Sequence, residues 1–145
     1  MNKYSNSLKI VKCRGIIMDE DKLLLVRHGL HHNFYALPGG HLEGEENPVE
    51  CIERELLEEF GVKADVGRLL YICQFADPGK SFIEFFFEIK NGADFKNLDE
   101  SKIDKNEIVE VVWVSKNDNL NILPVKLKED LKNGILGKTE LQFIR

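Results

Sequence analysis

Glu55, Glu58 and Glu59 form the pattern E-x-x-E-E in a polar-and-apolar stretch near the middle of the chain. On a helix that advances about 100° per residue, positions i, i+3 and i+4 share one face, so three carboxylates would converge there. Like charges at this spacing repel and raise one another's pKa unless a cation lies between them. A divalent ion removes that cost. Magnesium prefers oxygen ligands in octahedral geometry and is typically held by a few carboxylates together with substrate phosphates. The chemistry that suits such a face is hydrolysis of a phosphoric anhydride, in which metal ions orient a diphosphate, offset its charge and lower the pKa of an attacking water. An isolated acidic helix face is more often merely solvated, so the flanking residues decide between the two readings.

The flanks give this stretch the marks of a helix over residues 47–60, with Asn47 as N-cap, Pro48 in the first position, Glu50 completing a capping-box pattern and Gly61 just past the end. Val49, Ile52, Leu56 and Phe60 recur at spacings of 3, 4 and 4 and predict an apolar stripe about a quarter-turn from the acids. The helix would have a core side and an acid side.

The wider spacing is Gly40, five residues, Glu46, seven residues, Arg54-Glu55-Leu56, one residue, Glu58-Glu59, one residue, Gly61-Val62. This segment, GHLEGEENPVECIERELLEEFGV, resembles the Nudix box, G-x5-E-x7-R-E-U-x-E-E-x-G-U with U a bulky aliphatic, at every specified position. At about 7% per fixed residue type, the fixed letters would coincide at a given start about once in 10⁸. The preceding Tyr35-Ala36-Leu37-Pro38-Gly39 is similar to the family's W-x-L-P-G lead-in, with tyrosine in place of tryptophan.

The resemblance implies Glu55, Glu58 and Glu59 as magnesium ligands, joined by the carbonyl of Gly40, with Mn2+ as a substitute ion. It implies that Glu58 and Glu59 are also catalytic, that Arg54 holds these carboxylates by ion pairing, that Glu46 acts through Arg54, that Gly39, Gly40 and Gly61 permit the loop–helix–loop shape, and that Gly39 also contacts substrate. The implied activity is magnesium-dependent cleavage of a nucleoside diphosphate linked to another moiety, with ADP-ribose first and nucleoside triphosphates or dinucleoside polyphosphates next. The alternative is a nucleotide-sensing or binding module of the same fold without turnover, and the intact glutamates count against it. A structural or interaction domain without ligand is a third reading.

The box does not name the general base, and members of this family differ in where it lies. In residues 81–89, alternation puts Ile83, Phe85, Phe87 and Ile89 on one face and Phe82, Glu84, Phe86 and Glu88 on the other. A mid-strand glutamate between two phenylalanines suggests a pocket, which makes Glu84 a candidate base. Glu107 occupies a loop position where some members of the family carry a catalytic glutamate, and Glu110 is a weaker choice of the same kind. Arg27 ends a strand beside the box and suits bidentate contact with a phosphate, with Arg14 a lesser candidate. Pro78-Gly79-Lys80-Ser81 resembles the proline-bearing loop of ADP-ribose pyrophosphatases, which makes Pro78 a candidate for substrate binding, although such a turn is common between strands. His28, His31, His32 and His41 are spaced too irregularly for a metal site and read as solvated.

These residues need a scaffold. A chain of 145 residues with 43% hydrophobic content suits one domain, residues 1–145, with one substantial core. Apolar runs interrupted by turn residues predict strands over 10–18, 22–27, 62–74, 81–89 and 108–115, and a second helix over 124–133. The fold class is therefore α+β, a mixed β-sheet flanked by helices, which the resemblance sharpens to a Nudix-type α/β/α sandwich. A net charge of −5 argues against a broad nucleic-acid surface, so the partner is a small nucleotide whose charge is met by metal or by a few arginines. Three cysteines without a CxxC pair, and no run near the roughly 20 apolar residues a membrane helix needs, point to a reducing cytoplasm and no membrane. A homodimer is common among members of the family, though no residue here requires one.

Overall fold

The structure is a computed structural model and describes residues 8–29 and 32–145. Strands β1 (Leu8–Asp19) and β2 (Lys22–Arg27) form a hairpin in which Asp19 pairs with Lys22. Its two-residue turn needs left-handed backbone, and Glu20 (φ 48°) and Asp21 (φ 68°) supply it. Next come the short β3 (Gly39–His41), the helix α1 (Pro48–Phe60), and the hairpin of β4 (Val66–Asp77) with β5 (Lys80–Ile89). After two 3-10 turns follow β6 (Glu110–Val114), α2 (Val125–Lys132) and β7 (Gln142–Ile144).

The seven strands run in the order β6-β2-β1-β5-β4-β7, with β3 on β1. The parallel pairing of β1 with β5, from Leu8↔Lys80 to Ile17↔Ile89, forms the centre of the mixed sheet. One face packs Cys13, Ile17 and Phe87 against Ile52, Leu56 and Phe60 of α1. The other packs Ile16, Tyr71 and Phe86 against Leu127 and Leu131 of α2. Helices thus cover both faces, as an α/β/α sandwich requires. Among the described residues no helix is long and apolar enough to cross a membrane.

Four local features differ from the sequence reading. Gly39 and Gly40, expected in a loop, lie instead in a short strand, because Gly39–His41 adds to the edge of β1. Strand β4 begins at Val66 rather than residue 62, since the side chain of Asn91 pins the preceding loop by donating to the Lys63 carbonyl and accepting from the Asp65 amide. Val49 is 39% exposed at the open first turn of α1, and Cys51 takes its place in the buried stripe. The three-residue β7 escaped notice because so short a segment shows no periodicity.

The start of α1 is built as its sequence predicts. The Asn47 side chain accepts from the Glu50 amide at 2.9 Å, and the Glu50 carboxylate accepts from the Asn47 amide at 3.1 Å. Replacing Asn47 with Ala removes one of these bonds and should cost about 1 kcal/mol, read as a Tm lower by about 3 °C in thermal unfolding. An unchanged Tm would show that the box does not stabilise this helix.

Candidate active site

The site begins with a close approach of backbone to backbone. At Gly39 (φ 144°) a Cβ would stand 2.0 Å from the Cys13 carbonyl oxygen, so only glycine lets β3 seat on β1 here. At Gly40 a Cβ would meet the Glu55 carboxyl group at 2.6 Å. The glycine pair therefore clears the space into which the first acid of α1 projects. At the far end of the helix, Gly61 takes the left-handed cap (φ 70°) and donates to the Leu57 carbonyl.

Arg54 organises the acids. Its Nε and one terminal nitrogen donate to the two oxygens of Glu46 at 2.9 and 2.7 Å, a bidentate pair. The other terminal nitrogen donates to Glu55 at 3.0 Å and to Glu58 at 3.2 Å, and the Glu46-bound nitrogen also reaches the His41 carbonyl at 2.9 Å. The guanidinium holds the Glu46 carboxyl down at about 2, chiefly by direct hydrogen bonding, and its own proton is held more firmly in return.

Glu59 lies apart from this cluster and is 3% exposed. Burial, reinforced by the charge of Glu55, pushes its carboxyl up to about 9, against the opposing pull of Arg14. Its Oε2 is buried with no hydrogen-bond partner. Burial also raises Glu55, and the hydrogen bond from Arg54 offsets this in part. An orphaned carboxylate oxygen beside further carboxylates, with a glycine carbonyl strand at their side, is a donor set for a hard divalent cation. Among the described residues no three Glu, Asp, His or Cys side chains close on one point. The Glu55, Glu58 and Glu59 side chains would therefore have to close on an ion held here, with phosphate and water completing its shell.

These acids line a cleft of about 410 Å³. Its lining brings together Glu43, Glu55, Glu58 and Glu59, Lys12 and Arg14 of β1, and Asp104 and Glu107. His28, His32 and His41 also border the cleft, and His28 Nδ1 lies 2.9 Å from the Glu107 carbonyl. Burial lowers the pKa of both His28 and His41. His31 lies outside the described residues.

The candidates from beyond the box part company here. Glu107 is exposed and reaches the cleft. Glu84 is 5% exposed and does not line the cleft of acids; Arg14 Nε donates to it at 2.5 Å, and Arg14 also donates to the Leu37 carbonyl at 2.8 Å. Arg27 does not line the cleft either, because its Nε is engaged by Glu110 at 3.1 Å, where the Tyr35 hydroxyl also donates at 2.9 Å. Pro78 sits exposed at the tip of the β4–β5 hairpin, off the cleft. Lys12 was missed by sequence reasoning, although two cations two residues apart on one face of an apolar strand were a readable signal.

A proton held by Glu59 up to about pH 9 must leave when a cation binds its carboxylate. Affinity for Mg2+ or Mn2+ should therefore rise with pH across the neutral range, by up to about tenfold per unit, with proton release visible by calorimetry in buffers of different ionisation enthalpy. Glu59→Gln should flatten that dependence. A wild-type affinity indifferent to pH would contradict the assignment.

Comparison with known proteins agrees with this geometry. The model of the NUDIX domain matches residues 10–134. Diphosphoinositol polyphosphate phosphohydrolase 2 of Homo sapiens is 43% identical over 58 residues, which are 40% of this chain and 32% of that protein. The chain thus spans about a third of the length of the curated relatives it matches. A crystal structure of a UDP-X diphosphatase aligns with a TM-score of 0.70 at 25% identity, covering 99% of this chain and 70% of that one. An ADP-ribose pyrophosphatase from Streptococcus suis aligns with a TM-score of 0.63 at 17% identity, covering 94% and 98% of the two chains, a likeness of fold alone. The box, the sandwich and the match over most of the chain place this protein in the Nudix family.

Proposed function

We propose that this protein is a magnesium-dependent pyrophosphohydrolase that cleaves a nucleoside diphosphate linked to another moiety, with ADP-ribose as the first substrate to test. Nucleoside triphosphates and dinucleoside polyphosphates come next. The observation that carries the reading is the cleft that the unpartnered Glu59 oxygen and the Glu55 and Glu58 carboxylates share with Lys12 and Arg14. The acids suit a cation, and Lys12 and Arg14 suit phosphate oxygens.

In this reading Glu55, Glu58 and Glu59, with the Gly40 carbonyl, hold Mg2+, for which Mn2+ can substitute. When bound, the ion supplies charge neutralisation of the diphosphate and a more acidic attacking water. Arg54 keeps Glu55 and Glu58 oriented, and Glu46 fixes the plane of Arg54 through its bidentate pair. Lys12 and Arg14 bind the non-bridging oxygens of the scissile diphosphate. Glu107, the exposed carboxylate at the end of the cleft, accepts the proton of the water as its oxygen attacks phosphorus. The anhydride P–O bond breaks, and a nucleoside monophosphate and a phosphorylated product leave. Glu84 serves by orienting Arg14, the cation that compensates its buried charge, rather than as the base.

The buried free thiols Cys13, Cys51 and Cys73 suit a reducing compartment such as the cytoplasm. The test is a magnesium-dependent panel of nucleoside diphosphate derivatives with products identified by mass. Glu59→Gln should keep the fold, since it replaces a carboxyl that burial already holds neutral with a group of the same size, and should lower turnover at least 100-fold, on the order of a lost acid–base or ligand group. A variant that keeps most of the wild-type turnover at saturating Mg2+ would refute this metal site. Tight nucleotide binding in Mg2+ with no product across the panel would point instead to a sensing module.

A further inference from the structure

The turn that carries Glu107 is tied into the fold at both ends. At one end the Asp104 amide donates to the Glu59 carbonyl at 3.0 Å, which joins the turn to the last turn of α1. At the other the Val109 amide donates to the Arg27 carbonyl at 2.9 Å, where β2 ends. Between them Asp104 closes the turn on itself. Its carbonyl accepts from the Glu107 and Ile108 amides at 3.1 and 2.9 Å, and its carboxylate accepts from the Asn106 amide at 3.1 Å. The Glu107 carboxylate itself is exposed at the cleft and enters no hydrogen bond or ion pair among the described residues, so its backbone alone decides where it stands.

Among the described residues, one side chain bonds to Glu107 from outside this turn. His28, half-buried where the chain leaves β2, places Nδ1 2.9 Å from the Glu107 carbonyl oxygen. A carbonyl can only accept, so Nδ1 carries the proton and donates it. Burial, with the charges of Arg14 and Lys12 in the same cleft, holds the imidazole below its ordinary pKa against the opposing pull of Glu107, so a second proton on Nε2 is disfavoured at neutral pH. The ring is therefore a neutral donor in one fixed tautomer, and it bridges the end of β2 to Glu107.

We infer that His28 is a positioning residue for the proposed reaction: its Nδ1–H holds the Glu107 backbone so that the free Glu107 carboxylate stays at the acidic cleft. The inference rests on the reading of Glu107 as the base. A carboxylate on an exposed turn swings with its backbone, and a displacement of about 1 Å at a reacting group can cost on the order of 100-fold in rate. The bond from His28 acts on that freedom directly, because it meets Glu107 itself, whereas the bonds to Glu59 and Arg27 meet only the ends of the turn. The imidazole takes no proton in the step. The proton of the attacking water goes to the Glu107 carboxylate, and Nδ1 keeps its own.

The experiment separates the two ring nitrogens. Asparagine puts an amide nitrogen where Nδ1 stands, and glutamine puts one nearer Nε2. On a derivative that the magnesium panel shows to be cleaved, His28→Ala and His28→Gln should lower kcat about tenfold or more while KM stays within about threefold, and His28→Asn should keep kcat within about threefold of the wild type. In a Glu107→Gln background His28→Ala should cost no more than about twofold further, because a residue that acts through Glu107 has nothing left to position. Amide exchange over residues 104–109 should quicken in His28→Ala and not in His28→Asn, with α1 unaffected in both. Asparagine and alanine variants that behave alike would overturn the role of His28 while leaving Glu107 as the base, and so would losses that multiply in the double variant. A loss that falls on KM or on Mg2+ affinity instead of kcat would overturn it too. Wild-type turnover by Glu107→Gln would remove the base and this inference together, and a chain that cleaves nothing in the panel would sink the proposed reaction and the inference with it.

Discussion

The structure around the cleft depends on one guanidinium. Glu43, Glu46, Glu55, Glu58 and Glu59 crowd into a small volume at the junction of β3 and α1, and uncompensated charges so close would push the loop away from the helix. Arg54 touches four of them and also the carbonyl of His41, so it ties the loop to the helix and fixes the acids relative to one another. Its fork geometry matters, because Nε and a terminal nitrogen meet both oxygens of Glu46 at once. A lysine would bring the charge without the fork. The pair is largely shielded, at 25% and 14% side-chain exposure, so neither partner can be lost without stranding the other.

Arg54 stops short of Glu59, and this asymmetry separates holding from function. Glu46, Glu55 and Glu58 each accept from Arg54, whereas Glu59 is buried with an oxygen left over. Burying a carboxyl without a partner is costly, and the fold meets the cost by keeping it protonated up to about pH 9. A buried acid retained at the expense of stability marks a position selected for something other than folding.

Much of this was legible in the sequence, because the features that announce it are local. The capping box, the bounds of α1 and the glutamate face all follow from spacings within a few turns of one helix. The mixed sheet followed from alternating apolar runs. What remained hidden depended on distant partners. Glu84 reads as a pocket base until Arg14, seventy residues earlier in the chain, arrives beside it on the neighbouring strand. Arg27 reads as a phosphate ligand until the pairing of β2 with β6 sets it opposite Glu110, 83 residues later. The register of long-range strands decides both, and no local pattern encodes it. Strand β3 was hidden for a different reason: glycines that signal a break in isolation permit a close approach when a carbonyl waits across from them.

Strand β1 explains why the acidic cleft adjoins a second one of about 580 Å³, whose wall includes Phe34, Phe75 and Phe82. It pairs with β3 on one side and with β5 on the other, so the residues of one of its faces, Lys12 and Arg14, look both toward the glycine loop and toward the phenylalanine wall. In register, Lys12 stands between His41 and Glu84, and Arg14 between Gly39 and Phe86. The same two side chains therefore line both clefts. Moving either cation along the strand by one residue would turn it to the opposite face, into the core under α1. The alternation of β1 thus keeps both cations on the side of the sheet where the two clefts meet.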